Sequence, residues 1–521
     1  MEQINNFVLS LPLKVELWQA DIIDKRLEYL RFLYNYIQGK LLRQYKYFIQ
    51  QDEFTSLKTF KDKSDFFKSH VFTITGILGR DKNLLNISFT EYGIGNFVTK
   101  LGQKLTGEKT YKELGINSIN LAALSANIWS SWDKFLYHKG KTVHFKRIGE
   151  QNTIEFSTIK SHGKQVFIGL TIDLEKMTVS LKLNSAVGKK EKWMTMAFGS
   201  VPLTDYENNA LALGFDSIRT VTIARKNRNG KRKYYIQLTF RGSHSDKNRE
   251  LGKGCVGIDI GPSTIAVSSL NGLGIDKLAD KADSIEHDKW LLQRKIDRSR
   301  RATNPQSYNE DGTIKRGIRL VWHQSNRYKA LVAELNELQR HQVAVRKTQH
   351  IEMANALLKL GDTFIVENNP IDTWVKKAKE TKVSEKTGRY LKKKRYGKSV
   401  ANHAPSEFVT ILKNKVLSLG GKFIEVDPKN AASRFDFTNG DFNQHELKER
   451  RITLSNGDIH QRDLLAAFNL QHLRPDSEEL KDYDVEAMKK DYPVFCRLER
   501  EEMERYKEGK KQNDKSTIDA F

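Results

Sequence analysis

Cysteine is almost absent: among 521 residues only Cys255 and Cys496 carry a thiol, and they lie far apart. No Cys-x-x-Cys pair occurs, and no closely spaced pair of histidines accompanies either thiol. A structural zinc site is therefore not expected, and both cysteines read as ordinary reduced thiols. A chain of this length builds its core without disulfides. No apolar run is long enough to span a bilayer, and the opening MEQINNFVLSLPLK lacks the shape of a secretory signal. A soluble intracellular chain is expected. Acid is scarce relative to base: 64 Asp+Glu stand against 88 Lys+Arg, a formal charge of +24. A compact fold with that much like charge repels itself, and a polyanionic partner relieves it. Nucleic acid is the first candidate and an acidic membrane surface the second.

The length allows two to four domains, and three stretches differ in character. After an alternating segment at Phe7–Lys14, residues 16 to about 138 read mainly as helices, with apolar residues at helical spacing from Leu17 to Ile49 and from Ile119 to Leu136. The aromatic residues of these helices read as core rather than as a base-stacking platform. Residues 140–250 turn to strand-like alternation. The clearest case is Thr220–Arg225 and Tyr234–Phe240 around Asn229-Gly230, a pair that tolerates the positive φ of a type I′ hairpin turn. The tip carries Lys226, Arg228, Lys231, Arg232 and Lys233, either to grip phosphates or simply as a soluble hairpin end. From Gly254 to Leu473 the order is strand, long helices, strand, helix, strand, helix, which suits an α/β layer. A helical pair is inserted near 286–301 and 326–360; its second helix carries Arg327, Lys329, Arg340, Arg346 and Lys347. Residues 376–398, including Lys392, Lys393 and Lys394, form a basic loop directly after a candidate active-site strand, which favours a nucleic-acid track. Past Arg474 the tail is dense in both charges and reads as an exposed helix with disordered ends. There is no internal repeat.

Three acids stand out. Asp259 sits inside the apolar strand Cys255-Val-Gly-Ile-Asp-Ile, where a carboxylate is costly without a partner. Glu367 ends a second buried-type strand, Thr363-Phe-Ile-Val-Glu, and taken alone reads as a strand-end residue facing solvent. Asp463 lies at the start of an apolar-periodic helix, where it could serve as a plain N-cap. Together they change meaning. Two unit charges about 4 Å apart repel by roughly 1 to 4 kcal/mol for dielectrics between 80 and 20, so three carboxylates share a pocket comfortably only with divalent cations. Oxygen-only ligands favour Mg²⁺ or Mn²⁺, and two ions in such a site suit phosphodiester cleavage.

In order along the chain, Gly257-Ile-Asp-Ile-Gly, Phe364-Ile-Val-Glu-Asn and Gln461-Arg-Asp-Leu-Leu-Ala-Ala-Phe-Asn-Leu resemble the three RuvC motifs of TnpB nucleases and their descendants, the type V CRISPR effectors. Ala404-Pro-Ser-Glu-Phe resembles the family helix before the last sheet strand, and Trp132–Arg147 the junction returning from the recognition helices. The resemblance implies a multidomain α+β chain: an RNase H-like (RuvC) α/β nuclease domain, an oligonucleotide-binding-like β-barrel wedge domain, and an inserted helical recognition domain. Its boundaries would be 1–15 for the first wedge strand, 16–138 for the helical recognition domain and 139–250 for the wedge. The nuclease domain would span 251–426, followed by a zinc-less target-loading lid at 427–458, the last motif helix at 459–473 and a charged tail at 474–521.

The same resemblance implies Asp259, Glu367 and Asp463 as catalytic metal ligands, a guide RNA, and double-stranded target DNA opened beside a short adjacent motif. A monomeric ribonucleoprotein in the bacterial cytoplasm or nucleoid is expected, with no zinc and no membrane partner. Two departures matter. Many members carry a four-cysteine ribbon between the second and third motifs, where this chain has none, and Gln461 and Leu465 replace a frequent Asp and Asn of the third motif. All three ligands survive, which favours a cutting enzyme over a nuclease-inactive RNA-guided repressor. An actin-like ATPase, suggested by Asp-x-Gly alone, lacks its second glycine-rich loop, and an unguided junction resolvase would not need residues 1–250.

Overall fold

Apolar residues alternate through β1 (Asn6–Leu13), and the inward Leu9, Leu11 and Leu13 are buried. The computed structural model describes residues 6–69, 71–74, 85–106, 114–138, 140–161, 164–183, 192–200, 202–242, 250–369, 371–376, 383, 396–446, 449–474 and 480–518. The architecture is mixed α+β, divided into two compact units, Met1–Asp246 and Lys247–Phe521. None of the helices among the described residues is long and apolar enough to cross a membrane.

In the first unit, α1 (Leu17–Phe48) starts from a capping box in which Gln19 accepts from the Glu16 amide at 2.9 Å. Its buried stripe is Ile23, Leu27, Leu30, Leu33, Ile37 and Leu41. Helices α2 (Phe60–Ser69), α3 (Glu91–Thr106) and α4 (Ser118–Tyr137) follow. Trp132 of α4 is fully buried and donates to Gln38 at 2.6 Å, so the indole N–H has its partner inside the core. A two-stranded ribbon, Val71–Ile74 with Leu85–Ser88, interrupts a region that reads as helical in sequence. Four-residue strands are too short for their periodicity to register against long neighbouring helices.

Among the described residues seven further strands follow in this unit: β2 (Thr153–Ser161), β3 (Lys164–Phe167), β4 (Leu170–Asp173), β5 (Thr178–Lys182), β6 (Trp193–Ala197), β7 (Ile218–Arg228) and β8 (Lys231–Arg241). One sheet has the order β1-β8-β7-β2-β3 and a second the order β4-β5-β6. Only Ile168 and Gly169 separate β3 from β4, and β6 returns to β1 through Lys14 N–H to Ala197 O and Gly199 N–H to Pro12 O, both 2.8 Å. The two sheets are thus joined by hydrogen bonds between β6 and β1 and by the short link from β3 to β4, which among the described residues are not paired with each other. Asn229 and Gly230 have φ of 50° and 72° and pair Arg228 with Lys231, as the type I′ reading requires. Helical and strand residues share one core, in which Trp132 and Leu30 belong with Ile223 and Leu238.

The second unit is built on β9 (Cys255–Ile260), β10 (Thr264–Ser269), β11 (Gly272–Lys277), β12 (Thr363–Glu367) and β13 (Lys422–Val426), in the order β11-β10-β9-β12-β13. Strand β10 runs antiparallel to both β9 and β11, while β12 and β13 run parallel to β9. The helical pair α5 (Lys281–Thr303) and α6 (Asn326–Leu357) enters between β11 and β12, and α7 (Pro405–Ser418) between β12 and β13. Strand alternation splits the sheet into two apolar faces. Val256, Ile258, Ile260, Phe364 and Val366 meet Ala354 and Leu357 of α6 and Phe408 and Leu412 of α7. Ala266 and Ile365 meet Leu464, Ala467 and Phe468 of α8 (Arg462–Gln471).

Gly257 lies on the α8 side of β9. A Cβ there would stand 2.0 Å from Ala467 O and 2.4 Å from Gln471 N, so only glycine lets α8 lie this close to the strand. The tail differs from its sequence reading as an exposed helix. Within α9 (Val485–Ile518), Met488 and Phe495 are buried beside α8, and Glu502 accepts from the Ile275 amide of β11 at 3.0 Å. The region expected as a zinc-less lid holds two short ribbons, Phe435–Asp436 with Asp441–Phe442 and Arg451–Thr453 with Ile459–Gln461. Buried Asp436 ties it together by accepting from Thr438 Oγ1 at 2.6 Å and from Ser455 N and Oγ at 2.8 Å each. Phe435 stacks on Tyr483, with centroids 4.2 Å apart.

Candidate active site

Strand geometry places the first two acids. The β9–β12 register pairs Ile258 with Val366, so Asp259 and Glu367 stand one step further at adjacent strand ends, where neighbouring strands are about 4.8 Å apart. Asp259 is two residues beyond Gly257 and shares its face, and Glu367 likewise follows Ile365, so both belong to the face that α8 covers. Ala266 lies opposite Asp259 on β10 and keeps the neighbouring position small.

The third acid comes from α8. Its N-cap is Gln461, whose side chain accepts from the Leu464 amide at 2.7 Å. Asp463 is thus the second residue of the helix rather than its cap, and its carboxylate is free for other partners. Those partners are cations: Arg450 Nη1 lies 3.2 Å from one carboxylate oxygen and Arg462 Nη2 3.3 Å from the other. Gln461 Nε2 donates to the same carboxylate at 3.3 Å. All three acids are half-buried, and the positive end of the α8 dipole is directed towards them.

Asp259 feels the charge of the other two acids. Burial, then the charges of Glu367 and Asp463, push the Asp259 carboxyl up to about 7, against partial relief from Arg462 and Arg450. Burial also raises Glu367, opposed by the Ala432 amide and the Asn369 side chain. Tyr483, whose hydroxyl donates to Asn430 O at 2.8 Å, is raised by burial and by Glu367. Sequence reading missed Arg450, Arg462, Asn369 and Tyr483. Arg462 adjoins Asp463 in the chain and could have been found on that ground, whereas Arg450 is hidden in a run of mixed charge.

Among the described residues no set of three or more His, Cys, Asp or Glu side chains is drawn together ready to hold a metal ion. The donor chemistry of Asp259, Glu367 and Asp463, oxygen only and with Asp259 pushed up chiefly by burial, nevertheless suits a hard divalent cation. Cys255 and Cys496 are not paired, and burial pushes the Cys255 thiol up to about 11, which makes it a poor thiolate.

The basic residues named from sequence are scattered. Lys226, Arg228, Lys231 and Arg232 cluster at the β7–β8 turn, but Arg232 pairs with Asp24, which also accepts from buried Arg225 and from Tyr234 at 2.9 Å each. Lys226 lies over the Tyr235 ring at 4.8 Å. On α6, Arg327 and Lys347 are exposed. Arg346 has a packing role instead: it donates to Glu407 at 3.0 Å and to Ala401 O at 2.9 Å, joining α6 to α7. Lys392, Lys393 and Lys394 lie outside the described residues.

No family model matches the chain, and no curated protein matches it. Solved structures are similar to it at low identity. A Cas12f1–sgRNA–target DNA complex shares 11% identity over 90% of this chain and 99% of that one, with a TM-score of 0.46. The mini-RNA-guided endonuclease CRISPR-Cas_phi3 shares 10% over 91% and 94%, with a TM-score of 0.34. A CRISPR-Cas12f ternary complex shares 12% over 89% and 83%, with a TM-score of 0.28.

Proposed function

We propose that this chain is an RNA-guided DNA endonuclease that cuts with an RNase H-like (RuvC) site made of Asp259, Glu367 and Asp463. The observation that carries the reading is the placement of three half-buried carboxylates at two adjacent strand ends and one helix start, with Asp259 raised by burial and then by its two neighbours. The sheet order β11-β10-β9-β12-β13, with β10 antiparallel and helices on both faces, is the frame such a site requires. The guide and the DNA target rest on the order and wording of the three motifs in the sequence.

Asp259, Glu367 and Asp463 would hold Mg²⁺ or Mn²⁺. Divalent ions bound by these acids supply an activated water and charge stabilisation for the leaving 3′ oxygen. The chain's own residues do the positioning. Gly257 sets the depth of α8 over the strand, Gln461 caps α8 so that Asp463 is free, and Arg450 and Arg462 hold the charge of Asp463 in check. In the same reading the two linked sheets of the first unit are the wedge, and the helices inserted between β1 and β2 are the recognition domain. Lys226, Arg228, Lys231, Arg327 and Lys347 are assigned to phosphate contacts, with the guide reading sequence by base pairing.

Cleavage of a supercoiled plasmid by protein carrying its co-purified RNA, with Mg²⁺, tests the proposal. Asp259→Ala, Glu367→Ala and Asp463→Ala should each reduce cutting to background while leaving target binding largely intact. A wild-type protein that binds the target and leaves it uncut would instead be a guided repressor, and preserved cleavage in one variant would remove that residue from the site.

A further inference from the structure

The aromatic residues of α1 divide between two fates. Tyr34 is buried, but Trp18, Tyr29, Phe32, Tyr36 and Tyr47 lie along another face. Their spacings of eleven, three, four and eleven residues are each close to a whole number of helical turns, so they form one stripe along the helix. Trp18, Phe32 and Tyr47 are 49%, 50% and 59% exposed, and every large apolar side chain that α1 exposes between them is aromatic. Tyr29, Phe32 and Tyr36 form a ladder with successive ring centroids 6.0 Å apart. Lys25, Lys40 and Arg43 share the stripe, with Lys40 5.4 Å from the Tyr36 ring centroid.

A second segment borders it. Asn35 clamps Lys146 by donating to its carbonyl and accepting from its amide, both at 2.8 Å, and Lys146 Nζ sits 4.1 Å from the Tyr34 ring centroid. This leaves His144, Phe145 and Arg147 exposed beside α1. The nearby acids are occupied: Asp21 pairs with Lys25, and Glu28 pairs with Arg31 and accepts from the Gly149 amide. Exposed and half-buried rings interleaved with Lys40 and Arg43, with the neighbouring carboxylates paired, match a ligand that offers flat apolar faces and negative charge together. Unpaired nucleotides have that chemistry, because every base has a π-face whatever its sequence. Lys40 and Arg43 on the same stripe favour a polyanion among the ligands that stack on aromatic rings.

We infer that α1, bordered by the 144–147 segment, is a stacking platform for single-stranded nucleic acid. The inference deepens the proposed function and rests on it, since a guided nuclease exposes unpaired strands. The test uses the full-length protein freed of nucleic acid, with labelled single-stranded RNA and DNA homopolymers and a duplex of equal length. Binding is read by fluorescence anisotropy. Replacing Phe32 and Tyr36 together by leucine should weaken single-strand binding by roughly tenfold per ring and leave duplex binding in place. The pair Phe32→Tyr and Tyr36→Phe should bind as wild type, because it keeps the rings. The RNA and DNA arms identify which strand the platform holds. Ultraviolet crosslinks should map to α1 peptides.

Equal binding by the leucine and aromatic pairs would overturn the inference. So would a change in oligomeric mass confined to the leucine pair, which would assign the stripe to a second copy of the chain. Loss of folding is monitored by thermal melting, and the crosslink map on wild type decides the matter if the leucine pair melts early. If wild type binds no nucleic acid at all, the proposed function falls too; if it binds and cuts while the leucine pair matches it, only the platform falls.

Discussion

Asp259 shows how much a single carboxyl can say. Its ordinary value of 3.8 is pushed up to about 7, chiefly by burial. The unfolded chain ionises this group from about pH 4 upward while the folded chain resists until about pH 7, so folding stability is lost over that interval as pH rises. In chelator, Asp259→Asn should melt close to wild type at pH 4 and a few degrees above it at pH 8. Added Mg²⁺ should raise wild type at pH 8 and leave the variant nearly unmoved; equal responses would separate Asp259 from the cation site. Arg450 acts in the opposite sense. It holds Asp463 at 3.2 Å and competes with a cation for it, so Arg450→Gln should lower the Mg²⁺ concentration for half-maximal cleavage about two- to fivefold, read by titration. Each of the three acids is marked in sequence by its place within, at the end of or at the start of an apolar run. Arg450 is not, since its neighbours Glu449 and Arg451 make it one more charge on a polar stretch. Gln461 shows the same limit: it appears as a departure from a motif, and only the cap geometry explains what it does there.

Among the elements, α8 depends most on a missing side chain. Gly257→Ala would drive a methyl group into two backbone atoms of α8, neither of which can rotate away. A loss of about 3 kcal/mol in chemical denaturation is expected, with cleavage lost because Asp463 moves with the helix. Gly272 makes the contrast: a Cβ there would meet only the movable Leu360 Cδ2 at 3.0 Å, so Gly272→Ala should cost far less. The strands, the type I′ hairpin and the helical pair are legible because their periods persist for a full element. The α9 tail misleads because Met488 and Phe495 are diluted by charge, and because Glu499 and Glu502 are buried despite it. Glu499 holds buried His460 at 2.6 Å and the Gln461 amide at 2.7 Å, which braces the start of α8. Partners so distant in sequence leave no local pattern to read.

For the molecule as a whole, two compact units with separate cores predict two unfolding steps. Trp132→Ala should lower the step belonging to residues 1–246, and Gly257→Ala the other, as followed by hydrogen exchange of each unit. Coincident shifts would show one cooperative block. The net charge of +24 was legible at once and predicts nucleic-acid binding that weakens steeply with salt. What composition leaves invisible is where the strands stop. In the first unit the sheets end on β3 and β4, which only two residues separate. The open sheet of the second unit ends on β13, with Lys422 and Glu425 at its outer edge. That edge is where heat-damaged molecules would begin to add strand to strand and aggregate, and its two charges are what the fold sets against it.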